Sequence, residues 1–225
     1  RLQRRLMPGT TFVDVGAHLG HYVLLAARAV GRSGRVIALE PAPHTYRLLR
    51  ESVRANKLRH VTVLPVAAGS RHGRRAFHLA DWSLCQGFYE HPYPFARPLR
   101  PTEVDVRPLD EVVPGPVDAV KVDVEGAELE VLEGMRRILA ENPTLTLVVE
   151  WNPDCMIRAG RDPLDLPRVI GSYGFRLDTV LDAGAGLDRW PQPVAAEWVA
   201  RMIQEHRLPP RWYGNLWAER GDSAS

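Results

Sequence analysis

The sequence has little cysteine and no long apolar run. Its 225 residues include two cysteines, Cys85 and Cys155, which lie far apart. This pattern does not indicate a disulfide framework and suits a reducing compartment, so we expect a cytoplasmic protein. A membrane span needs about 20 apolar residues in a row, and we identify neither such a run nor a signal peptide. The formal net charge of +2 gives no electrostatic reason to expect nucleic acid or a membrane as a partner.

The chain has the composition of an ordinary globular protein, with 45% hydrophobic and 25% charged residues. A chain of this length can bury the core of one α/β domain. We predict a single domain over residues 1–225, with an insertion at residues 70–107 and a disordered tail at residues 221–225. Because the chain begins with Arg1 rather than methionine, we expect an N-terminal part to be missing, and a larger parent protein stays open.

The stretch at residues 10–20 (TTFVDVGAHLG) is predicted to form a strand, a glycine turn and the start of a helix. A short apolar run surrounds Asp14, as expected for a strand that is buried on both faces. Gly16 and Gly20 open the turn, where glycines let a ligand approach the backbone and the helix N-terminus offers unpaired N–H groups. The turn is therefore a candidate ligand cradle, and the alternative is an ordinary turn between a strand and a helix.

The dinucleotide motif G-x-G-x-x-G is absent from this turn, because three residues separate Gly16 from Gly20 without an intermediate glycine. This absence argues against a nucleotide-dependent oxidoreductase. The spacing, with an acid before it, resembles motif I of class I S-adenosylmethionine (SAM) methyltransferases, in which the acid lies near the methionine end of the cofactor. The candidate cofactor-binding residues of this motif are Asp14, Gly16, Ala17, His18 and Gly20.

The second predicted strand ends in Glu40, about 20 residues past the glycine turn, where nucleotide-binding α/β folds place a carboxylate on the ribose hydroxyls. The two carboxylate oxygens can accept both hydroxyl hydrogen bonds, and the alternative is an exposed acid at a strand end. Pro41 follows as a further cofactor contact. Small residues, Ala67 and Ala68, come after the third predicted strand at residues 61–66 and leave room for an adenine ring, unless they only form a tight turn.

A second informative stretch lies in and after the predicted strand at residues 117–124. Asp123 and Glu125 alternate with valines, so we expect both acids to point the same way at the strand's carboxyl end, where open parallel sheets bind ligands. Lys121 shares that face one step back, and the alternative is an ion pair that fixes the turn. The next strand ends in Glu150. We predict Asp123, Glu125 and Glu150 as catalytic candidates and Asp123 also as a cofactor contact. A divalent metal on Asp123 and neighbouring acids stays open, since hard cations favour carboxylates, but the sequence shows no metal-specific cluster and we assign no metal site.

The insertion contains two short alternating strands, at residues 76–80 and 103–107. The segment between them is rich in aromatic residues and proline, and long insertions in compact domains usually have a function. We predict that it forms a lid over the acceptor pocket, and the alternative is a surface excursion without a role. The residues that indicate a lid are Trp82, Ser83, Phe88, Tyr89, Tyr93 and Phe95.

The remaining chain is predicted to alternate between helices and strands. Helices are predicted at residues 44–56, 127–140, 162–173 and 197–206, and further strands at residues 175–181 and 213–219, with a loop at residues 182–193.

With both acidic stretches in view, the chain resembles the FkbM family of SAM-dependent methyltransferases. The D-x-E-G-x-E run is the specific part, and His18 departs from the family, which more often has asparagine there. The matching segments are residues 12–20, residues 39–43, Asn56, Leu109 and Asp110, residues 121–128, Glu150, and residues 215–220.

The resemblance implies an α/β, Rossmann-like class I methyltransferase fold, with a seven-stranded, mostly parallel sheet whose last strand is reversed. It implies SAM as the cofactor and methyl transfer to a hydroxyl of a sugar, polyketide or other secondary metabolite. The partner would be a small hydroxylated metabolite or glycan, and a homodimer stays open. Two alternatives are an N-methyltransferase of a small amine and a non-catalytic SAM-fold partner domain.

A hydroxyl acceptor has to lose its proton, so a base or a metal is needed near it. Asp123, at the tip of the central strand, is the leading candidate for acceptor orientation or base. Glu125 and Glu150 come next, followed by His18 or His21 beside the glycine turn.

Overall fold

A mostly parallel β-sheet carries helices on both faces. The computed structural model describes residues 2–83, 85–89, 97–180, 194–195, 201, 205 and 213–220. The strands are β1 (Thr11–Val15), β2 (Arg35–Leu39), β3 (Val61–Leu64), β4 (Val66–Ala68), β5 (Gly73–Phe77), β6 (Thr102–Arg107), β7 (Ala119–Val122), β8 (Thr146–Trp151), β9 (Phe175–Val180), β10 (Val194–Ala195) and β11 (Gly214–Arg220). The helices are α1 (Leu2–Arg5), α2 (His21–Val30), α3 (Pro43–Ala55), α4 (Leu109–Val112), α5 (Glu128–Glu133), α6 (Arg136–Glu141), α7 (Pro153–Arg158) and α8 (Asp165–Ser172).

The main sheet has the strand order β10-β9-β11-β8-β7-β1-β2-β3. Strands β3, β2, β1, β7 and β8 run parallel, and β11 runs antiparallel between β8 and β9. The predicted seven-stranded sheet with a reversed last strand is confirmed, and the two-residue β10 extends it at one edge.

The central strands are buried along their whole length because apolar residues face both ways. Every residue of β1, β7 and β8 is buried. In β1, Phe12 packs into the cluster beneath α2, whereas Val13 and Val15 pack into the larger cluster with α5 and α6. Side chains of successive strand residues point to opposite faces, so this alternation joins the two halves of the core through one strand. Asp14 lies in the middle of that strand and is fully buried.

Two predicted elements differ from the structure, and both differences involve the segment around β4. The single helix predicted at residues 127–140 is wrong, because α5 and α6 are separate and meet at Gly134. A Cβ on Gly134 would lie 2.0 Å from the carbonyl oxygen of Gly69, so the chain after β4 occupies the space that a side chain would need. The predicted strand at residues 61–66 likewise ends at Leu64, because β4 joins a second sheet of order β4-β6-β5.

The second sheet organises the insertion. Strands β5 and β6 pair antiparallel, with Arg75 opposite Val104, and β4 pairs parallel with β6. The two short strands predicted in the insertion are thus present, although the first is shifted toward the N-terminus. Beyond β5 the chain folds back through an antiparallel bridge between His78 and Gly87.

Several expectations fall outside the described residues: Arg1, the lid residues Tyr93 and Phe95, the loop at residues 182–193, the tail at residues 221–225 and, apart from residues 201 and 205, the helix at residues 197–206. In the part of the chain that the structure describes, no helix combines the length and the apolar character that crossing a membrane requires.

Candidate active site

A cavity of about 560 Å³ opens at the carboxyl ends of β1, β2, β7 and β8, beneath the insertion. This is the edge at which open parallel sheets bind ligands, and the volume is within the usual range of ligand pockets, about 300–1,000 Å³. All three predicted catalytic residues line the cavity: Asp123, Glu125 and Glu150. Of the predicted cofactor contacts, the lining includes Gly16, His18, Glu40, Pro41, Ala67, Ala68 and Asp123, whereas Asp14, Ala17 and Gly20 are not part of it.

Glu40 lies at one end of the cavity and is held in a fixed orientation. Its Oε2 accepts a hydrogen bond from the backbone N–H of His18 at 2.8 Å, and its Oε1 accepts one from the N–H of Ala42 at 2.9 Å. Each carboxylate oxygen has a second lone pair, so both can accept a further hydrogen bond from a ligand. Burial raises the pKa of Glu40 to about 7 despite the two backbone hydrogen bonds. The arrangement can receive two neighbouring hydroxyl groups of a ligand.

The glycine turn has a packing role that the sequence did not indicate. Gly16 has a φ of +76°, and a Cβ there would lie 1.9 Å from the carbonyl oxygen of Asp123. The backbone N–H groups of Gly16 and Ala17 donate to the carbonyl oxygen of Leu39 at 3.1 and 3.0 Å. The turn therefore fixes the end of β1 against both neighbouring strands. This contact also places the backbone of Asp123 beside the cradle.

Lys121 lies between two aspartates below the cavity. Its Nζ is 3.5 Å from Oδ1 of Asp14 and 3.1 Å from Oδ2 of Asp123. Burial alone would lower the pKa of Lys121, but the charges of Asp123 and Asp14 outweigh burial and raise it above the usual value. Burial raises the pKa of Asp14, and Lys121 opposes that shift. The predicted lysine thus links motif I to the candidate catalytic aspartate.

Three carboxylates converge at the other end of the cavity. Each of Asp123, Glu125 and Glu150 offers an oxygen that lies within 4.8 Å of the others. Glu125 has a φ of +56°, and the Sγ–H of Cys155 donates to its Oε2 at 3.3 Å. Burial, followed by the charges of Asp123 and Glu125, raises the pKa of Glu150 well above its usual value. The site therefore brings together one buried acid and two partly exposed ones.

Glu128 shapes the turn that presents Asp123 and Glu125. Its carboxylate is buried and accepts hydrogen bonds from the N–H groups of Val124 and Gly126, at 3.1–3.2 Å. The predicted alternative, an ion pair of Lys121 with a glutamate that fixes the turn, is wrong, because Lys121 pairs with Asp14 and Asp123. The turn is fixed by these backbone hydrogen bonds.

We expect Glu128→Gln to reduce the pH dependence of stability. Burial raises the pKa of Glu128 to about 7 from its ordinary value of 4.5, so at pH 5.5 the folded protein keeps a proton that the unfolded chain has released. The contribution of this retained proton to the free energy of unfolding is lost as the pH rises through 7. It amounts to about 2 kcal/mol between pH 5.5 and 8. Urea unfolding at the two pH values should show this difference shrinking by that amount in Glu128→Gln and unchanged in Glu133→Gln, an exposed control on α5. An unchanged difference in both variants would contradict the assignment.

Residues that the sequence analysis did not single out complete the cavity wall. Asn152, Tyr213 and Asn215 line it on the β8 and β11 side, and Asn215 lies directly opposite Glu150 in the pairing of these strands. Asn152 directly follows β8, whereas the proximity of Tyr213 and Asn215 to the acids follows from the reversed position of β11, which no local pattern shows. Asn152 also begins α7, which the sequence analysis missed, by accepting a hydrogen bond from the N–H of Cys155. An asparagine followed by proline is a recognised helix start, and this pair was the signal from which α7 could have been predicted.

Among its described residues, the insertion contacts the cradle through Ser83. Nε2 of His18 lies 2.8 Å from Oγ of Ser83, and burial lowers the pKa of His18. Further out, Tyr89 donates a hydrogen bond to Glu130 at 2.7 Å, and the guanidinium of Arg75 lies 3.9 Å from the ring centre of Phe88. These contacts tie the described part of the insertion to α5 and β5 over the cavity.

Comparison with known proteins agrees with this geometry. A model of the methyltransferase FkbM domain family matches residues 14–177. The hexuronic acid methyltransferase AglP of Haloferax volcanii is 31% identical over 160 residues, which cover 70% of this chain and 59% of that protein. The chain thus spans about six tenths of the length of this curated relative.

Two solved structures show the same fold. A methyltransferase FkbM from Methylobacillus flagellatus has a TM-score of 0.60 at 22% identity, covering 93% of this chain and 43% of that one. The Aeropyrum pernix fibrillarin structure, with natively bound S-adenosyl-L-methionine, has a TM-score of 0.52 at 14% identity, covering 95% of this chain and 68% of that one.

Proposed function

The chain belongs to the FkbM family of SAM-dependent methyltransferases, and we propose that it transfers a methyl group from SAM to a hydroxyl group of a sugar. The observation that carries the proposal is one cavity with Glu40 at one end and three carboxylates at the other. The first end suits the ribose of the donor, and the second suits a hydroxyl that must lose a proton. The similarity to a hexuronic acid methyltransferase supports a sugar as the acceptor class.

On this proposal the donor binds along the ends of β1 and β2. Glu40 accepts the hydrogen bonds of the two ribose hydroxyls through its remaining lone pairs, and Ala67 and Ala68 face the adenine. Asp14 acts from below, because it is fully buried and its described partner is Lys121. It therefore positions Lys121 and, through it, Asp123.

When bound, SAM supplies a methyl group on a positively charged sulfur. The chain has to hold the acceptor oxygen in line with the bond that breaks and to exclude water. Asp123 is more accessible to the acceptor hydroxyl than Glu150 is, since its side chain is 36% exposed while Glu150 is 9% exposed. Asp123 accepts the hydroxyl proton as the carbon–oxygen bond forms and the carbon–sulfur bond breaks, leaving a neutral thioether and a protonated carboxyl group.

We expect Glu40→Gln to weaken SAM binding about tenfold. The glutamine amide would turn its NH₂ group toward a backbone N–H, where two donors face each other. The variant also lacks the stronger hydrogen bonds that a charged acceptor makes, which are worth about 1.5–3 kcal/mol each in favourable cases. Isothermal calorimetry with SAM measures the change. Glu51→Gln, an exposed position on α3, is the matched control and should bind as the unmodified chain does. If the unmodified chain fails to bind SAM, the donor assignment is wrong.

The acceptor class is tested by methyl transfer from isotopically labelled SAM to a hexuronic acid, a neutral hexose and a small amine. The proposal expects label on a sugar oxygen, located by mass spectrometry after product isolation. Transfer to the amine alone would establish the alternative of an N-methyltransferase. SAM binding without transfer to any acceptor would favour a non-catalytic partner domain.

A further inference from the structure

We propose that Asp123, Glu125 and Glu150 bind one divalent cation that prefers oxygen ligands, such as Mg²⁺ or Mn²⁺, and that this ion holds the acceptor hydroxyl. The binding of the ion stands on the geometry of the site alone. Its action on a hydroxyl rests on the proposed function. The sequence leaves this metal open without assigning it, because it shows no metal-specific cluster, and the three acids meet only in the fold.

The oxygen atoms are close enough to share one ion. Ligand oxygens around Mg²⁺ at about 2.1 Å lie roughly 3–4 Å from each other, and the three carboxylates of the cavity each offer an oxygen within 4.8 Å of the others. A small inward movement of these side chains would complete one face of a coordination sphere. The cavity side stays open for water or an acceptor oxygen.

Glu150 gives a second, independent indication of a bound cation. It is 9% exposed and lines the cavity, and its Oε2 has no hydrogen-bond partner among the residues that the structure describes. A carboxyl oxygen without a partner is expensive to bury, so such groups are normally hydrogen-bonded, paired or bound to metal. A cation at the cluster would give this oxygen its partner.

The positive charge near the cluster is already engaged. Lys121 lies between Asp14 and Asp123, and its ammonium group contacts those two carboxylates. The thiol of Cys155 gives Glu125 a weak, uncharged hydrogen bond. The described lining of the cavity contains neither lysine nor arginine. A divalent ion would therefore supply positive charge that the described residues do not bring to this end of the cavity.

Such an ion also explains how a sugar hydroxyl can bind and lose its proton beside three carboxylates. Coordination of the acceptor hydroxyl to a divalent cation lowers the pKa of that hydroxyl. The proton then passes to Asp123 more easily, and the bonds formed and broken in methyl transfer are unchanged. With a hexuronic acid as acceptor, the ion would in addition offset repulsion between the carboxylate of the sugar and the three acids.

The test is a titration of the chain with Mn²⁺ followed by electron paramagnetic resonance, without SAM or acceptor. We expect one bound Mn²⁺ per chain, displaced by excess Mg²⁺, and at least tenfold weaker binding in Glu150→Gln and in Glu125→Gln. Glu133→Gln, an exposed acid on α5, should bind as the unmodified chain does. Circular dichroism melts establish that the variants are folded. The proposal would be overturned if the folded, unmodified chain did not bind Mn²⁺. It would also be overturned if both cavity variants bound Mn²⁺ as tightly as the unmodified chain does.

Chelation separates this proposal from the proposed function. Chain treated with EDTA should bind SAM with an unchanged Kd in calorimetry and lose methyl transfer until Mg²⁺ is restored. Full transfer in EDTA would refute the role of the ion and leave the methyltransferase assignment standing. Mn²⁺ binding by a chain that binds no SAM would refute the proposed function and leave the metal site standing.

Discussion

Asp123→Asn is expected to lower the kcat of methyl transfer by about 1,000-fold and to leave the Kd for SAM within about threefold of its original value. Removal of a positioned proton acceptor typically costs 10²–10⁴-fold in rate. Asparagine keeps the shape of aspartate but cannot accept the hydroxyl proton or carry the charge that a bound cation would need. Because Lys121 remains paired with Asp14 at 3.5 Å, the buried lysine keeps a partner and the chain should still fold.

Single-turnover kinetics with SAM in excess, together with calorimetry, measure the two quantities separately. Asp165→Asn makes the same chemical change on α8, at a side chain that is 45% exposed and lies outside the cavity lining, and it should leave kcat unchanged. If kcat in Asp123→Asn equals that of the unmodified chain, Asp123 is not the proton acceptor. The same measurement on Glu125→Gln and Glu150→Gln would then decide between the other two acids.

The sequence predicted the part of the site that depends on neighbours in the chain. The strand, turn and helix around Gly16 follow from a buried apolar run and glycine spacing, and both are local signals. Glu40 could be placed because it ends the strand that pairs directly with β1. Parallel neighbours end at one edge of a sheet, so a residue at the end of either strand reaches the same cleft.

The sequence could not show which of the distant acids the fold places next to each other and next to Lys121. The meeting of Glu150 with Asp123 depends on the pairing of β7 with β8, and the position of Lys121 depends on its pairing opposite Asp14 in β1. Strand register fixes both, and no short motif encodes register. The sequence pattern places Lys121 on the correct face but does not show that it lies between the buried Asp14 and the partly exposed Asp123.

The break between α5 and α6 shows a limit of a different kind. The apolar positions at residues 127–140 suit one continuous helix, and glycine within a helix costs only about 1 kcal/mol relative to alanine. Helical periodicity gives no information about the backbone of Gly69, which packs where a side chain of residue 134 would lie. A contact between segments 65 residues apart in the chain thus overrides the local pattern.

Gly16→Ala is expected to remove SAM binding and methyl transfer together and to destabilise the fold by about 2–5 kcal/mol. An alanine at a φ of +76° costs about 1–2 kcal/mol, and forcing a methyl group into filled space adds about 1–3 kcal/mol. The methyl group would lie 1.9 Å from the carbonyl oxygen of Asp123, so relief requires β1 and β7 to separate where the cradle and the acids meet. Gly160→Ala is the matched control, because its φ is +71° and nothing lies within 4 Å of the added Cβ. Thermal unfolding should therefore show a drop of roughly 5–15 °C in Tm for Gly16→Ala, with only the smaller backbone cost and intact SAM binding for Gly160→Ala. Equal losses in both variants would mean that backbone strain alone, and not the contact with Asp123, sets the requirement for glycine at this turn.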